Sequence, residues 1–259
     1  MDLGISGRKA LVCASSKGLG RACAHSLARE GVAVFVNGRD KTTLEATASE
    51  LAKATGSAIT PVVGDLNTEE GREALITACP DPDILVNNNG GPPPKPFEAT
   101  DRSDWQGALE ANLLAPLFLI QAVLPGMRER HFGRIVNVTS AMVRSPMAVM
   151  SLSTTARTGL TALSKGLSRD VARDNVTINA LLPERFDTDR QLQMANIVMK
   201  MRGISYEEAR AEQAASIAAG RLGDPAEFGD ACAFLCSAQA GFITGQNISL
   251  DGGSYEGIF

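Results

Sequence analysis

Short unbroken apolar runs alternate with amphipathic stretches along nearly the whole chain. The runs lie at residues 9–14, 32–37, 59–64, 84–88, 134–139, 176–182 and 246–250. Continuous apolar character, rather than strict alternation, marks strands covered on both faces. Helical patterns fill the gaps, the clearest at 19–30 and 41–55. Strand and helix in regular alternation predict an α/β fold: a doubly wound, parallel, seven-stranded sheet of the Rossmann kind, with right-handed crossovers. No repeat, linker or low-complexity segment divides the chain, so residues 1–259 read as a single domain. The one proline cluster, at 91–96, follows the fourth strand and reads as a stiff loop.

Composition narrows the class. The chain has 259 residues, 44% of them hydrophobic, enough for one substantial core. Its 25 basic and 29 acidic residues give a net charge of -4 with no basic stripe, so no nucleic-acid partner is expected. The apolar segment 113–124 contains Pro116 and Gln121 and reads as a buried helix, not a membrane span. The N-terminus lacks the apolar run of a signal peptide. Five cysteines, an odd number with no C-x-x-C, fit buried free thiols and a cytoplasmic location. His25 and His131 have no partner cluster, so no metal site is expected.

The first strand runs into Ala14-Ser15-Ser16-Lys17-Gly18-Leu19-Gly20. Glycines at a strand–helix junction let backbone amides and the helix dipole meet a pyrophosphate. The spacing is not G-x-G-x-x-G. An enzyme that favours NAD places an acid at the end of the second strand to hold the ribose hydroxyls. Here that end reads Asn37-Gly38-Arg39-Asp40. Arg39, with Lys17 from the glycine turn, suits a 2′-phosphate and so points to NADP(H). Asp40 stands against this reading if it pairs with Arg39.

With these residues in place, the chain resembles the short-chain dehydrogenase/reductase family over nearly its whole length. The carriers, besides the glycine turn, are Gly64-Asp65-Leu66, Asn87-Asn88-Asn89-Gly90, Asn112, Asn137-Val138-Thr139-Ser140, Pro183 to Thr188, and residues 242–253. The resemblance implies a cofactor site of Ala14, Ser16, Lys17, Gly18, Leu19 and Arg39. Asp65 and Leu66 would flank the adenine. Asn89 and Gly90 would pass the adenine-side ribose, and Pro183 and Thr188 would lie at the nicotinamide end. It also implies a small-molecule substrate and a homotetramer built on the helices around 112–124 and 153–171. The Met-rich stretch 187–220 reads as a helical substrate lid. The chain departs from the family at Cys13-Ala14 (Thr-Gly), Asn89 (Ala) and Glu184 (Gly).

The largest departure is chemical. Hydride addition to a carbonyl builds charge on oxygen, which must be stabilised and then protonated. The family uses Ser, Tyr, Lys and Asn. This chain keeps Ser140 and Asn112, but has Ser153 in the Tyr position and Arg157 in the Lys position. A serine hydroxyl yields no proton near neutrality, and an arginine holds charge without relaying a proton. Tyr206, in the lid stretch, reads either as a surface residue or as a tyrosine reaching in. Three readings follow: an NADP(H) reductase of a carbonyl or conjugated C=C with atypical residues, a carbonyl reductase that uses water or a lid residue as acid, and a catalytically silent NADP-binding subunit.

Overall fold

Strands buried on both faces pair in parallel because helical crossovers cover the sheet. The computed structural model describes residues 2–258. Seven strands, β1 (Lys9–Val12), β2 (Ala33–Gly38), β3 (Ile59–Val63), β4 (Ile84–Asn87), β5 (Gly133–Val138), β6 (Val176–Pro183) and β7 (Asn247–Leu250), form one sheet. Their order is β3-β2-β1-β4-β5-β6-β7, and every pairing is parallel. Each predicted strand is present, with ends shifted by one or two residues. The order reverses between β1 and β4, which opens the crevice where such sheets bind ligands.

Two apolar layers sandwich the sheet. On one face, α1 (Gly18–Arg29), α2 (Lys41–Thr55) and α9 (Pro225–Cys236) bury Leu27, Leu44 and Phe228. On the other lie α3 (Glu69–Ala78), α5 (Ala115–Glu129) and α6 (Ser151–Val171), burying Leu75, Leu119, Ile120 and Leu160. All five cysteines are free and buried. Among the described residues no cluster of potential metal ligands forms.

Helix α4 (Arg102–Leu109) continues through a wider π-helical turn, Glu110–Leu114, into α5. The run Arg102–Glu129 is long and apolar enough to cross a membrane by length and composition. Here it is a layer of the domain, with Leu119, Ile120, Val123 and Met127 buried. The stretch 187–220 holds α7 (Asp189–Arg202) and α8 (Tyr206–Ala215).

Arg134 lies inside β5 at 2% exposure. Its guanidinium donates to the carbonyls of Gly133, Asn175 and Ser237 and to Asn175 Oδ1, and it stacks over Phe132 at 4.4 Å. Neutral oxygens and a ring thus satisfy a buried cation without an acid.

Candidate active site

β1 stops at Val12 because the chain turns sharply at Ala14, which has a positive φ of 44°. Two asparagines fix that turn. Asn37 accepts from Ala14 N–H at 3.2 Å while its amide donates to the carbonyls of Val62 and Gly64. Asn88 donates to the Ala14 carbonyl at 3.1 Å. Gly20 must be glycine: a Cβ there would lie 2.5 Å from the Ala14 oxygen. The turn is held open as a backbone cradle leading into the N-terminus of α1.

The charged residues around the cradle are arranged differently from the sequence-based expectation. Arg39 faces Asp65 at 4.0 Å, and Lys17 faces Asp189 of α7 at 3.9 Å. Both cations thus sit at the crevice edge, but each has a carboxylate neighbour from a distant segment. Asp40 does not pair with Arg39. It caps α2, accepting from Thr43 N–H at 2.8 Å, which holds its carboxyl below the usual range. Asp65 also accepts from Asn67 N–H, and Leu66 is buried beneath. The Ser16 carbonyl accepts from the Thr47 hydroxyl at 2.8 Å. Thr188 begins α7 without capping it, and its methyl lies 3.8 Å from the position a Cβ would take at Gly18. Its hydroxyl is therefore not used by the helix it starts.

At the other end of the crevice the π-helical turn carries Asn112, buried at 5% exposure. Arg157, one turn after Ser153 on α6, reaches across to it. Its Nε and Nη2 donate to Asn112 Oδ1 at 3.1 and 3.0 Å. Nη1 donates to the Thr139 carbonyl, and Nη2 also reaches the Asn89 carbonyl at 3.4 Å. All these acceptors are neutral. Burial, and secondarily the charge of Arg190, push Arg157 down to about 10. It remains a cation at neutral pH.

Ser140 caps a short 3-10 turn, and its Oγ accepts from Met142 N–H at 3.2 Å. The hydroxyl hydrogen is left to donate. Ser153 is buried at 3% exposure. The Gly91 backbone lies against both α6 residues: a Cβ there would sit 3.7 Å from Ser153 Oγ and 3.3 Å from Arg157 Nη2. Asn89, where the family has alanine, spends its side chain on the protein. It donates to Asn67 Oδ1 and the Ala111 carbonyl, and accepts from Gly90 N–H. A small pocket beneath is lined by Cys13, Asn87, Asn112, Arg157 and Leu160, and its free space of about 20 Å³ holds roughly one water.

At the end of β6, Pro183 is followed by Glu184, which pairs with Arg185 at 3.3 Å. Burial raises the Glu184 carboxyl, Arg185 opposes this, and Asp251 adds to it. Tyr206 opens α8, with no hydrogen bond to the Ser140–Ser153 region. The roles of Asn37, Asn88 and Gly91 are not anticipated from sequence. An asparagine at the end of an otherwise apolar strand was the available signal for Asn37.

A family model described as enoyl-(acyl carrier protein) reductase matches residues 13–255. The NADPH-dependent reductase BacG of Bacillus subtilis is 31% identical, over 98% of this chain and 100% of that protein. The 3-oxoacyl-[acyl-carrier-protein] reductase FabG of Aquifex aeolicus is 32% identical, over 98% and 100%. Among solved structures, L-sorbose reductase from Gluconobacter frateurii, complexed with NADPH and L-sorbose, superposes with a TM-score of 0.94 at 28% identity, covering 100% of each chain.

Proposed function

Because the chain belongs to the short-chain dehydrogenase/reductase family, we propose that it is an NADPH-dependent reductase of a carbonyl or conjugated C=C in a small organic substrate, working without a tyrosine acid. The observation that carries the chemical part is the anchoring of Arg157 by Asn112 and Thr139, which fixes a cation where the family has lysine.

The residues present suit the cofactor. Gly20 lets the turn pack against the start of α1, where a Cβ would collide with the Ala14 oxygen, so the Ala14–Gly20 backbone can present its amides to a diphosphate, and Thr188 has a hydroxyl to offer a carboxamide. Arg39 and Lys17 would hold the 2′-phosphate by exchanging their carboxylate neighbours for it. Leu66, Asn89, Gly90 and Pro183 would line the rest. Bound NADPH supplies a hydride.

The protein's own part is electrostatic. Ser140 donates a hydrogen bond to the oxygen on which charge develops. Arg157 is prevented from rotating by three acceptors, so its charge is preorganised and needs no rearrangement as the reaction proceeds. Ser153 adds a second hydroxyl and no acidity. The proton comes from water, since neither Ser153 nor Arg157 releases one near neutral pH. Helices α7 and α8 act as the lid over an apolar substrate body: Met201 is 81% exposed and Ile197 46%. Assembly as a cytoplasmic homotetramer rests on the family resemblance and on Phe118, 42% exposed on α5. The reading of a silent subunit is disfavoured, because the relatives above are reductases by name.

The test gives wild type, Ser140→Ala and the Ser153→Tyr/Arg157→Lys double variant NADPH and a mixed panel of ketones and enones. Wild-type turnover with product mass locating the hydride supports the reading. Turnover by the double variant alone, or full activity in Ser140→Ala, overturns it.

A further inference from the structure

The approach of two arginines, one from α6 and one from α7, to one loop narrows the substrate class, and the inference rests on the reductase reading above. The loop that follows β4 passes between α6 and α7. Gly91 faces α6, where a Cβ would lie 3.3 Å from Arg157 Nη2. Its neighbour Pro92 faces α7, its carbonyl accepting from Arg190 Nη2 at 3.3 Å. Consecutive residues of one loop thus bring two guanidinium groups to the catalytic end of the crevice. The loop is pinned there, since Lys95 N–H donates to the Val149 carbonyl at 2.9 Å just before α6.

Three cations around the crevice have carboxylates: Arg185 has Glu184 at 3.3 Å, Arg210 has Asp187 at 2.6 Å, and Lys17 has Asp189 at 3.9 Å. Arg144, beyond Ser140, instead donates to Ser249 Oγ and the Asn247 carbonyl. Among the described residues, Arg157 and Arg190 have no carboxylate within ion-pair distance; their partners are amide and backbone oxygens. Arg190 is near enough for its charge to ease the proton off Arg157. Two like charges held together away from any counter-ion repel, and an anion placed between them relieves that repulsion. Arg190 is exposed, on the helix that would close over substrate, and Arg157 donates to the carbonyl of Thr139, next to Ser140, at the reacting end. A group reaching from one to the other is part of the substrate or belongs to the cofactor's diphosphate.

We infer that the pocket is built for a substrate bearing a carboxylate, held by Arg190 from the lid side and by the charge of Arg157 from the floor. The carbonyl or C=C to be reduced then lies within a few bonds of that carboxylate.

The experiment uses keto acids and conjugated enoic acids, each beside its methyl ester, with wild type, Arg190→Gln and Arg190→Lys. It measures kcat/KM with NADPH, direct binding of each acid and ester to the enzyme–NADPH complex, and the Kd of NADPH. The expected wild type prefers acids by tenfold or more. Arg190→Gln narrows that ratio at least tenfold, Arg190→Lys keeps part of it, and NADPH affinity changes less than twofold in both. Equal use and equal binding of acids and esters by wild type overturns the inference. So does a loss of NADPH affinity in Arg190→Gln with the acid preference intact, which would assign Arg190 to the cofactor diphosphate. If NADPH itself does not bind the wild type, the reductase reading fails. If NADPH binds and acid binding is indifferent to Arg190, this inference alone fails.

Discussion

Arg157 places two of its nitrogens on the single side-chain oxygen of Asn112, at 3.1 and 3.0 Å, from a residue 45 positions away in sequence. The π-helical turn presents that oxygen, and α6 presents the guanidinium, so the contact ties two neighbouring helical segments of one layer together beneath the reacting centre. Replacing Arg157 by methionine leaves Asn112 Oδ1 and the Thr139 carbonyl without their donor. Unmade hydrogen bonds of this kind cost about 1–3 kcal/mol each, and relief of a desolvated charge offsets part of that. The expected net loss for Arg157→Met is about 1–3 kcal/mol in urea unfolding. Arg157→Lys keeps the charge but not the fork, so it loses about half as much.

The same residue sets the pH dependence. Burial, and then the charge of Arg190, bring Arg157 down to about 10 in the folded protein. With no tyrosine acid in the site, kcat/KM is expected to stay flat between about pH 6 and 9 and to fall with an apparent pKa of about 10. Stability moves the other way. The folded state gives up this proton before the unfolded chain does, so over the range from about 10 up to the ordinary arginine value this group's contribution to stability rises with pH. Activity and unfolding followed on the same samples separate the two. An activity loss centred well below 9 would assign the proton chemistry to another group.

Arg39 is the cation whose removal tests cofactor choice. It lies 4.0 Å from Asp65 and is largely exposed, so it is free to turn to a 2′-phosphate. One charge-assisted hydrogen bond contributes about 1.5–3 kcal/mol, and solvent screening favours the lower end, about tenfold in affinity. Arg39→Ala is expected to weaken NADPH about tenfold and NADH less than twofold in fluorescence titrations. Lys17→Ala, whose side chain also faces Asp189, is expected to weaken NADPH by a smaller factor. Equal losses for both nucleotides would remove Arg39 from the 2′-phosphate site.

The sheet was legible because its strands are buried on both faces and therefore read as plain apolar runs. Helix α2 spans the same residues that its helical pattern predicts, Lys41–Thr55; the structure adds the reason for its ends, Asp40 accepting from Thr43 N–H at the start and Gly56 closing it in the left-handed region. What sequence could not show are contacts between distant segments. The pairing of Lys17 with Asp189 spans the glycine turn and the start of α7, and that of Arg39 with Asp65 spans two strand ends. Nothing local distinguishes these bases from solvated ones. Likewise Arg157 could be placed in the lysine position by spacing, but its three acceptors come from the ends of β4 and β5 and from the π-helical turn. Asn89 reads as a family substitution of unknown effect until its side chain is seen joined to Asn67 and Ala111.

Ala14 offers a test of strain at the cofactor cradle. Its φ of 44° lies in the left-handed region, where a Cβ crowds the following carbonyl at a cost of roughly 1–2 kcal/mol. The conformation is imposed from both sides: Asn37 holds the Ala14 N–H, and Asn88 holds its carbonyl at 3.1 Å. Glycine adopts this φ without penalty but loses about 0.5–1 kcal/mol more entropy on folding than alanine. The difference leaves Ala14→Gly more stable by about 0.5–1 kcal/mol, a rise in Tm of roughly 2 °C for a domain of this size. NADPH affinity should hold or improve slightly, because the amide direction is unchanged. Gly20→Ala is the opposite case: its Cβ would press to 2.5 Å on the Ala14 oxygen and 2.8 Å on Asn88 Nδ2, so both stability and cofactor binding should fall. If Ala14→Gly instead lowers Tm, the left-handed alanine is accommodated without strain and the tight packing at Gly20 is the constraint that shapes the cradle.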